Sequence, residues 1–198
     1  MSAIYSHMRN EMDAFFSLSD ETWRRFLSFC RVITKSKGEH LYPFSQMPTS
    51  YCFLHKGVAR LYACDELGQE YNKRFFIEGQ FPGVMSALHL GKATDQGIEC
   101  LTDCELVEVD FHRYRTYLFT SNELMAFQIK YLEANWLLDK DQREILLVQQ
   151  DATARYLLFL QQWPTLTNRI AQYHVASHLG ISATQLSRIR KSLNFVEN

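Results

Sequence analysis

RIAQYHVASHLGISATQLSRIRKSL, residues Arg169 to Leu193, has the spacing of a helix-turn-helix, and the rest of the chain is read outward from it. A first helix beginning near Gln172 places Val175, Leu179, Ile181, Leu186 and Ile189 where two crossing helices bury apolar groups, and Ala176 where only a small side chain allows close approach. Gly180 ends that helix at a position that tolerates positive φ, and Ser182 opens the second as N-cap, with Gln185 three residues on in a capping-box pattern. On the second helix the 3.6-residue period sets Ala183, Thr184, Ser187, Arg188 and Lys191 on one face, opposite Leu186, Ile189 and Leu193. That free face suits a DNA groove. The alternative for the same spacing is an αα-hairpin that only packs.

Charge follows the motif. The 198 residues carry a formal net charge of -1, yet residues 164 to 198 hold Arg169, Arg188, Arg190 and Lys191 against Glu197 alone. The C-terminal piece is therefore positive and the remainder acidic, so any attraction for phosphate is local to the motif. An apolar fraction of 46% with 22% charged residues is that of an ordinary globular protein rather than a disordered one. The N-terminal MSAIYSHMRNEMDAFF has no apolar run long enough for a signal sequence, and about 18 apolar residues nowhere run together, so the expectation is a cytoplasmic chain with no membrane partner. Five cysteines without a C-x-x-C pair suggest neither a disulfide framework nor a zinc ribbon, and reduced thiols are expected.

Upstream of the motif the hydrophobic period changes twice. Residues 8 to 33 read as helical, with Ser19 as a cap and Trp23, Phe26, Leu27 and Cys30 recurring at three and four, until Lys37-Gly38. From about 39 to 111 the period is two, in SYCFLHK, VARLYAC, EYNKRFFI and the alternation from Cys104 to Val109, joined by turns at His55-Lys56-Gly57 and Asp65 to Gln69. Glu78 to Leu88, EGQFPGVMSAL, interrupts this pattern with two glycines and a proline, predicting a bend with one helical turn. From Asn122 to about Val148 the helical period returns, with Phe127, Tyr131, Ala134, Leu138, Ile145 and Val148 on a seam broken at Asp141. So long an amphipathic helix exceeds the needs of a small domain, and a second copy is expected to cover part of it; a long core helix is the plainer reading. Asp151 then begins a further helix, ended by Trp163-Pro164.

This order of parts, with FLHKGVARLY at a strand-turn-strand, EGQFPGVMSALH at the bend, CELVEVDFHRYR before the long helix and HVASHLGISATQLSRIRKSL at the end, resembles the Crp-Fnr superfamily of bacterial transcription regulators over nearly the full length. The resemblance implies an α+β chain: an antiparallel β-roll sensor, similar to cyclic-nucleotide-binding domains, over residues 1–120, a dimerisation helix over 121–150 and a helix-turn-helix domain over 151–198. It also implies a homodimer through residues 121–150, a double-stranded DNA operator read in adjacent major grooves, and RNA polymerase as a further partner. No enzyme motif is recognisable, and no enzymatic activity is expected.

Departures from the family narrow the effector. Members that bind cyclic AMP hold the ribose with Gly-Glu and the phosphate with Arg-Ser; the corresponding places here read Gly83-Val84 and Thr94-Asp95, and the adenine contacts of the long helix become Leu137 and Leu138. Cyclic-nucleotide binding is not expected. Nor is an iron–sulfur cluster, since the first cysteine is Cys30, or haem, since His55 and His89 are isolated; no cofactor is expected. Cys100 and Cys104 flank a turn at Thr102-Asp103, which admits a thiol switch or plain packing. If the roll takes a ligand, Phe76, Phe81, Gly83, Val84, Met85 and Leu88 form its expected pocket and suit an apolar or aromatic molecule; a filled core is the alternative.

For DNA, the family's reading pair at the start of the second helix falls on Ala183 and Thr184, and its later arginine on Arg188, the one reader retained. Thr184, Gln185, Ser187 and Arg188 are the expected base readers, although Gln185 has an alternative role in the capping box, and Arg169, Arg190 and Lys191 are the expected phosphate contacts. The sequence ends at Asn198, five residues after Leu193, which leaves no room for the β-hairpin wing that the family places there. Two functions stay open: a sequence-specific regulator, and a ligand-binding or interaction module of the same architecture that reads no operator.

Overall fold

A computed structural model of the chain describes residues 2–65, 68–138 and 150–196. Two helices, α1 (Ala3–Asp13) and α2 (Asp20–Leu27), precede the strands β1 (Cys30–Lys35), β2 (His40–Tyr42), β3 (Ser50–Lys56), β4 (Ala59–Cys64), β5 (Glu70–Phe76), β6 (Gln96–Cys100) and β7 (Cys104–Asp110). The helical reading of residues 8–33 is corrected here in two places. The chain breaks between Asp13 and Ser19, where Asp13 Oδ1 accepts the Leu18 N–H and Ser19 caps α2, and Cys30 opens a strand. Trp23 and Phe26 do share a buried helix face, but from Cys30 on the backbone is taken by a full antiparallel register against β7.

All strands pair antiparallel, in two sheets ordered β1-β7-β3 and β2-β6-β4-β5. The turn at Gly57 thus joins strands of different sheets, whereas the segment from Asp65 to Gln69 joins strands that pair with each other. Strand β3 shows why the roll has two cores. Its alternate residues Cys52 and Leu54 point between the sheets, against Ile98, Cys100 and Leu106, while Tyr51 and Phe53 face Met8, Trp23 and Phe26 of the helices. A strand buried on both faces reads as a continuous apolar run. The bend of residues 79–82 closes its free edge, with Cys52 N donating to Pro82 O, Leu54 N to Gln80 O and Gly79 N to Leu54 O. Past the bend comes α3 (Met85–Leu90), the expected helical turn.

After the roll, α4 (Phe111–Leu118) leads to α5 (Asn122–Leu132), whose N-cap is Ser121, and the helix continues as a π turn over Glu133–Leu137. Its outer face leaves Ile129, Leu132, Trp136, Leu137 and Leu138 exposed. The remainder of the expected long helix, including Ile145 and Val148, lies outside the described residues. Asp151 caps α6 (Ala152–Gln162) through the Ala154 N–H, and Trp163, before Pro164, leaves the helical region as a residue preceding proline must. Then follow α7 (Gln172–His178) and α8 (Ala183–Val196). Among the described residues no helix is long and apolar enough to cross a membrane.

Candidate nucleic-acid interface

Helices α7 and α8 cross over Val175, Ala176, Leu179, Leu186 and Ile189, all buried, with Ile181 and Leu193 packed against them. Gly180 turns the chain at a φ of +67°, and Ser182 Oγ accepts the Gln185 backbone N–H at 3.1 Å. The bond uses the main chain of Gln185 and leaves its side chain pointing outward, exposed. Arg155 of α6 satisfies the end of α7 by donating from Nη2 to Leu179 O at 3.1 Å. What remains on the open face of α8 is Thr184, Gln185, Ser187, Arg188, Arg190 and Lys191, every one exposed. One geometry therefore collects six of the seven residues expected to meet DNA.

Arg169 is the seventh, and the structure places it elsewhere. Its guanidinium forms a two-point ion pair with Glu78 of the bend, which also accepts the Gly57 N–H. Burial works to raise the Glu78 carboxyl, but hydrogen bonds from Arg169, from its own backbone and from Gly57 outweigh it and hold the group at about 2. Nothing in the local sequence announced this pair, because its members lie 91 residues apart.

Around the pair, the helix-turn-helix is seated on strand β5 through a shared core. Val58, Phe75 and Leu101 of the roll pack with Tyr156, Phe159, Trp163 and Leu166. Asn72, fully buried, donates from its side chain to His174 O at 3.0 Å and accepts from Arg60 Nη1 at 2.8 Å, while its backbone N–H donates to Ser177 Oγ at 3.0 Å. Arg60 is itself paired with Glu70 and Glu99. Burial, assisted by the Arg60 charge, pushes His174 down to about 4, so it sits neutral in this seam. An open groove of about 730 Å³ runs between the roll hairpin and α8, with Asp65, Glu70 and Asp95 on one wall and Tyr173, Ser182 and Gln185 on the other.

The residues expected to hold an effector divide. Phe81 and Met85 line a cavity, whereas Phe76, Val84 and Leu88 are packed into the cores and Gly83 lies against Tyr51. The cavity owes most of its wall to Tyr51, Tyr114, Gln128 and Trp136, which the sequence reading passed over, and to Phe127 and Tyr131, which it placed on the seam of the long helix but which turn inward to the chain's own core. Its volume is about 40 Å³, room for roughly two or three waters rather than a nucleotide. No charged side chain lines it, and burial raises the Tyr51, Tyr114 and Tyr131 hydroxyls, so the wall is neutral and aromatic. The isolated histidines are engaged locally, His55 with His7 at 2.9 Å and His89 edge-on to Phe111. Among the described residues no group of three His, Cys, Asp or Glu side chains is arranged to hold a metal ion.

No family model matches the sequence, and no curated protein matches it. Solved structures do match. FixK2 from Bradyrhizobium japonicum is 16% identical and superposes with a TM-score of 0.73 over 85% of this chain and 86% of its own. CLP from Xanthomonas campestris, described as a c-di-GMP responsive global regulator, is 19% identical with a TM-score of 0.70 over 90% and 93% of the two chains. A CooA mutant from Carboxydothermus hydrogenoformans is 19% identical, at 0.65 over 86% and 78%. At these identities the likeness is one of fold, and it extends along most of each chain.

Proposed function

We propose that the protein is a dimeric, sequence-specific DNA-binding transcription regulator of the Crp/Fnr type, with a roll sensor over residues 1–120, a dimerisation helix over 121–150 and a reading domain over 151–198. The observation that carries this reading is the polar, basic face of α8, which is left open while its opposite face is buried against α7 and α6. Arg188 is the base reader, since its planar guanidinium donates twice to guanine O6 and N7; Thr184, Gln185 and Ser187 sit beside it, and Arg190 and Lys191 hold phosphates. Arg169 is left out of the phosphate set because Glu78 occupies it.

Dimerisation is supported by the apolar stripe of the α5 helix, where Ile129 is 57% exposed and Trp136 47%. Two-fold symmetry would then set two α8 helices about 34 Å apart, one turn of B-DNA. Leu132 and Trp136 also line the aromatic cavity, so its mouth opens on the face a second copy would cover. At about 40 Å³ the cavity admits an effector only if it opens from that face, and its neutral wall offers no partner to the charge of a cyclic nucleotide.

Selection of bound sequences from a random duplex pool tests the proposal. An enriched two-fold sequence is the expected result; no enrichment at low salt would instead support an interaction module on the same fold.

A further inference from the structure

Strand β1 is an outer strand of the three-stranded sheet, and among the described residues no strand lies on its far side. Asp110 N donates to Phe29 O at 3.0 Å, which continues the β1–β7 register by one pair. Hydrogen-bonded pairs alternate along an antiparallel ladder, so Arg31, Ile33 and Lys35 turn their N–H and C=O toward β7, while Val32 and Thr34 turn theirs away from it. Among the described residues nothing pairs with that outer row, and Val32 is 49% exposed. The other edges are closed or short. Residues 79–82 bond to the outer side of β3, Ser177 Oγ takes the Asn72 N–H of β5, and β2 has three residues.

We propose that the free edge of β1 is a docking site for an extended, acidic segment of a partner protein, which adds to the sheet as a fourth strand. The partner is a polypeptide because the edge presents donors and acceptors in alternation, which another backbone matches N–H for C=O, whereas a phosphate chain supplies acceptors alone. The reading domain sits on β5 of the other sheet, so pairing at β1 uses none of the groups proposed to meet DNA.

The acidity of the partner follows from charge. From Thr22 to Gly38 the chain carries Arg24, Arg25, Arg31, Lys35 and Lys37 and no Asp or Glu. Arg31 and Lys35 are met by Glu108 and Glu39. Arg25 and Arg113 have no ion pair among the described residues, and each guanidinium lies over a ring instead: Arg25 at 4.4 Å from the centroid of Tyr117 and Arg113 at 5.6 Å from that of Phe29. The two rings meet edge to face at 6.1 Å, which sets both cations on one aromatic footing and holds them without neutralising them. Arg113 also lines, with Cys30 and Arg31, a cleft of about 330 Å³ at the start of β1. The carboxylates on its wall are already engaged, Glu108 by Arg31 and Ser50 and Asp110 as the cap of α4. An acidic side chain on the added strand would answer Arg113 there. A second copy of this chain is disfavoured, because pairing β1 with itself brings two positive segments together. The charge that keeps like edges apart admits an acidic one.

Selection of peptides from a random displayed library on the intact protein tests the proposal, with hydrogen exchange at the Val32 and Thr34 amides followed by nuclear magnetic resonance. The expected peptides carry Asp or Glu among β-branched residues, slow exchange at both amides, and lose binding when alternate peptide nitrogens are methylated. Arg25→Glu with Arg113→Glu, both exposed, should weaken them roughly tenfold and leave far-ultraviolet dichroism unchanged. No enriched peptide, peptides rich in Lys or Arg, peptides indifferent to methylation or charge reversal, or peptides that leave the two amides exchanging as in the free protein overturn the proposal. So does slowing of those amides as the protein's own concentration rises, which marks a second copy on the edge, or on addition of duplex DNA.

Discussion

Arg169 holds Glu78 by two hydrogen bonds, Nη1 to Oε2 at 2.8 Å and Nη2 to Oε1 at 2.6 Å, and so ties the segment that leads into the reading helices to the bend of the roll. The pair withdraws from solvent a cation that composition would assign to phosphate. Removing one side chain that neutralises a phosphate lowers the slope of log affinity against log salt by about 0.9. Arg190→Ala and Lys191→Ala should each flatten the slope by that order. Arg169→Ala should leave it unchanged and instead cost about 2 kcal/mol of stability, because Glu78 keeps its half-buried place without its partner. Anisotropy across a salt series, with urea unfolding beside it, separates the two effects; a slope change in Arg169→Ala equal to that of Lys191→Ala would return Arg169 to the phosphate set.

The polar seam at β5 has a different weak point. Asn72 stands at zero exposure between Arg60 and His174 and answers both. Asn72→Ala leaves the His174 carbonyl and one Arg60 donor unpaired out of water, which should cost about 2–3 kcal/mol. A urea midpoint within about 0.5 kcal/mol of wild type would show that water replaces the amide and that the seam does not depend on it.

Acid should loosen the same seam in two stages. His174 is held at about 4 in the fold, below its ordinary 6.5, so the unfolded chain takes up a proton that the folded one refuses. Its contribution is complete above about 6.5 and is lost as pH falls through 4, amounting to about 2–3 kcal/mol. Glu78, held at about 2 against an ordinary 4.5, contributes fully above 4.5 and is lost as pH falls toward 2. Unfolding midpoints at pH 7.5, 6.5 and 5.5 should therefore fall before the carboxylates titrate, and His174→Gln should remove that first fall. A midpoint level from pH 7.5 to 5 in the wild type would contradict the neutral, buried histidine.

The parts of this structure that the sequence made legible are those whose logic is local. Gly180, Ser182 and the apolar positions from Val175 to Ile189 announce the helix-turn-helix because each one acts within a few residues of its partners. Strands β3, β4, β5 and β7 were legible for the same reason; β1 was read as helix and β2 and β6 were not singled out, because the short segments Cys30–Lys35, His40–Tyr42 and Gln96–Cys100 draw their order from distant partner strands. What stayed hidden is long-range: that β3 and β4 belong to different sheets, that Arg169 meets Glu78, and that Tyr51, Tyr114 and Tyr131 converge on one cavity from three elements. Of the possible effector residues the bend supplies only Phe81 and Met85 to that cavity, while Phe76, Val84 and Leu88 fill core space, the alternative that the sequence left open.

The α5 helix carries the dimer prediction. Ile129, Leu132, Trp136 and Leu137 stand out from it together, a patch that water tolerates poorly on an isolated chain. Ile129→Glu with Trp136→Glu should convert a dimer at micromolar concentration into a monomer in sedimentation while leaving far-ultraviolet dichroism unchanged, because neither side chain is buried in the chain's own cores. A wild-type monomer at that concentration would remove the basis for reading an operator by two-fold symmetry.

Arg188 tests the reading itself. It is exposed on the open face of α8, one turn beyond Thr184, and its neighbours Leu186 and Ile189 are buried, so its removal should not disturb the packing of the helix. A bidentate arginine–guanine contact discriminates against the wrong base by about 1–3 kcal/mol, whereas a phosphate contact weakens all sequences alike. Arg188→Ala should therefore lower affinity for a selected operator roughly 5- to 150-fold, bring it toward the affinity for scrambled DNA, and relax preference at one base pair of each half-site. Arg188→Lys should recover affinity for DNA in general more than it recovers the preference, because a point charge lacks the planar fork. If Arg188→Ala loses affinity equally for operator and scrambled duplex, the arginine holds backbone, and the base readers are to be sought in Thr184, Gln185 and Ser187.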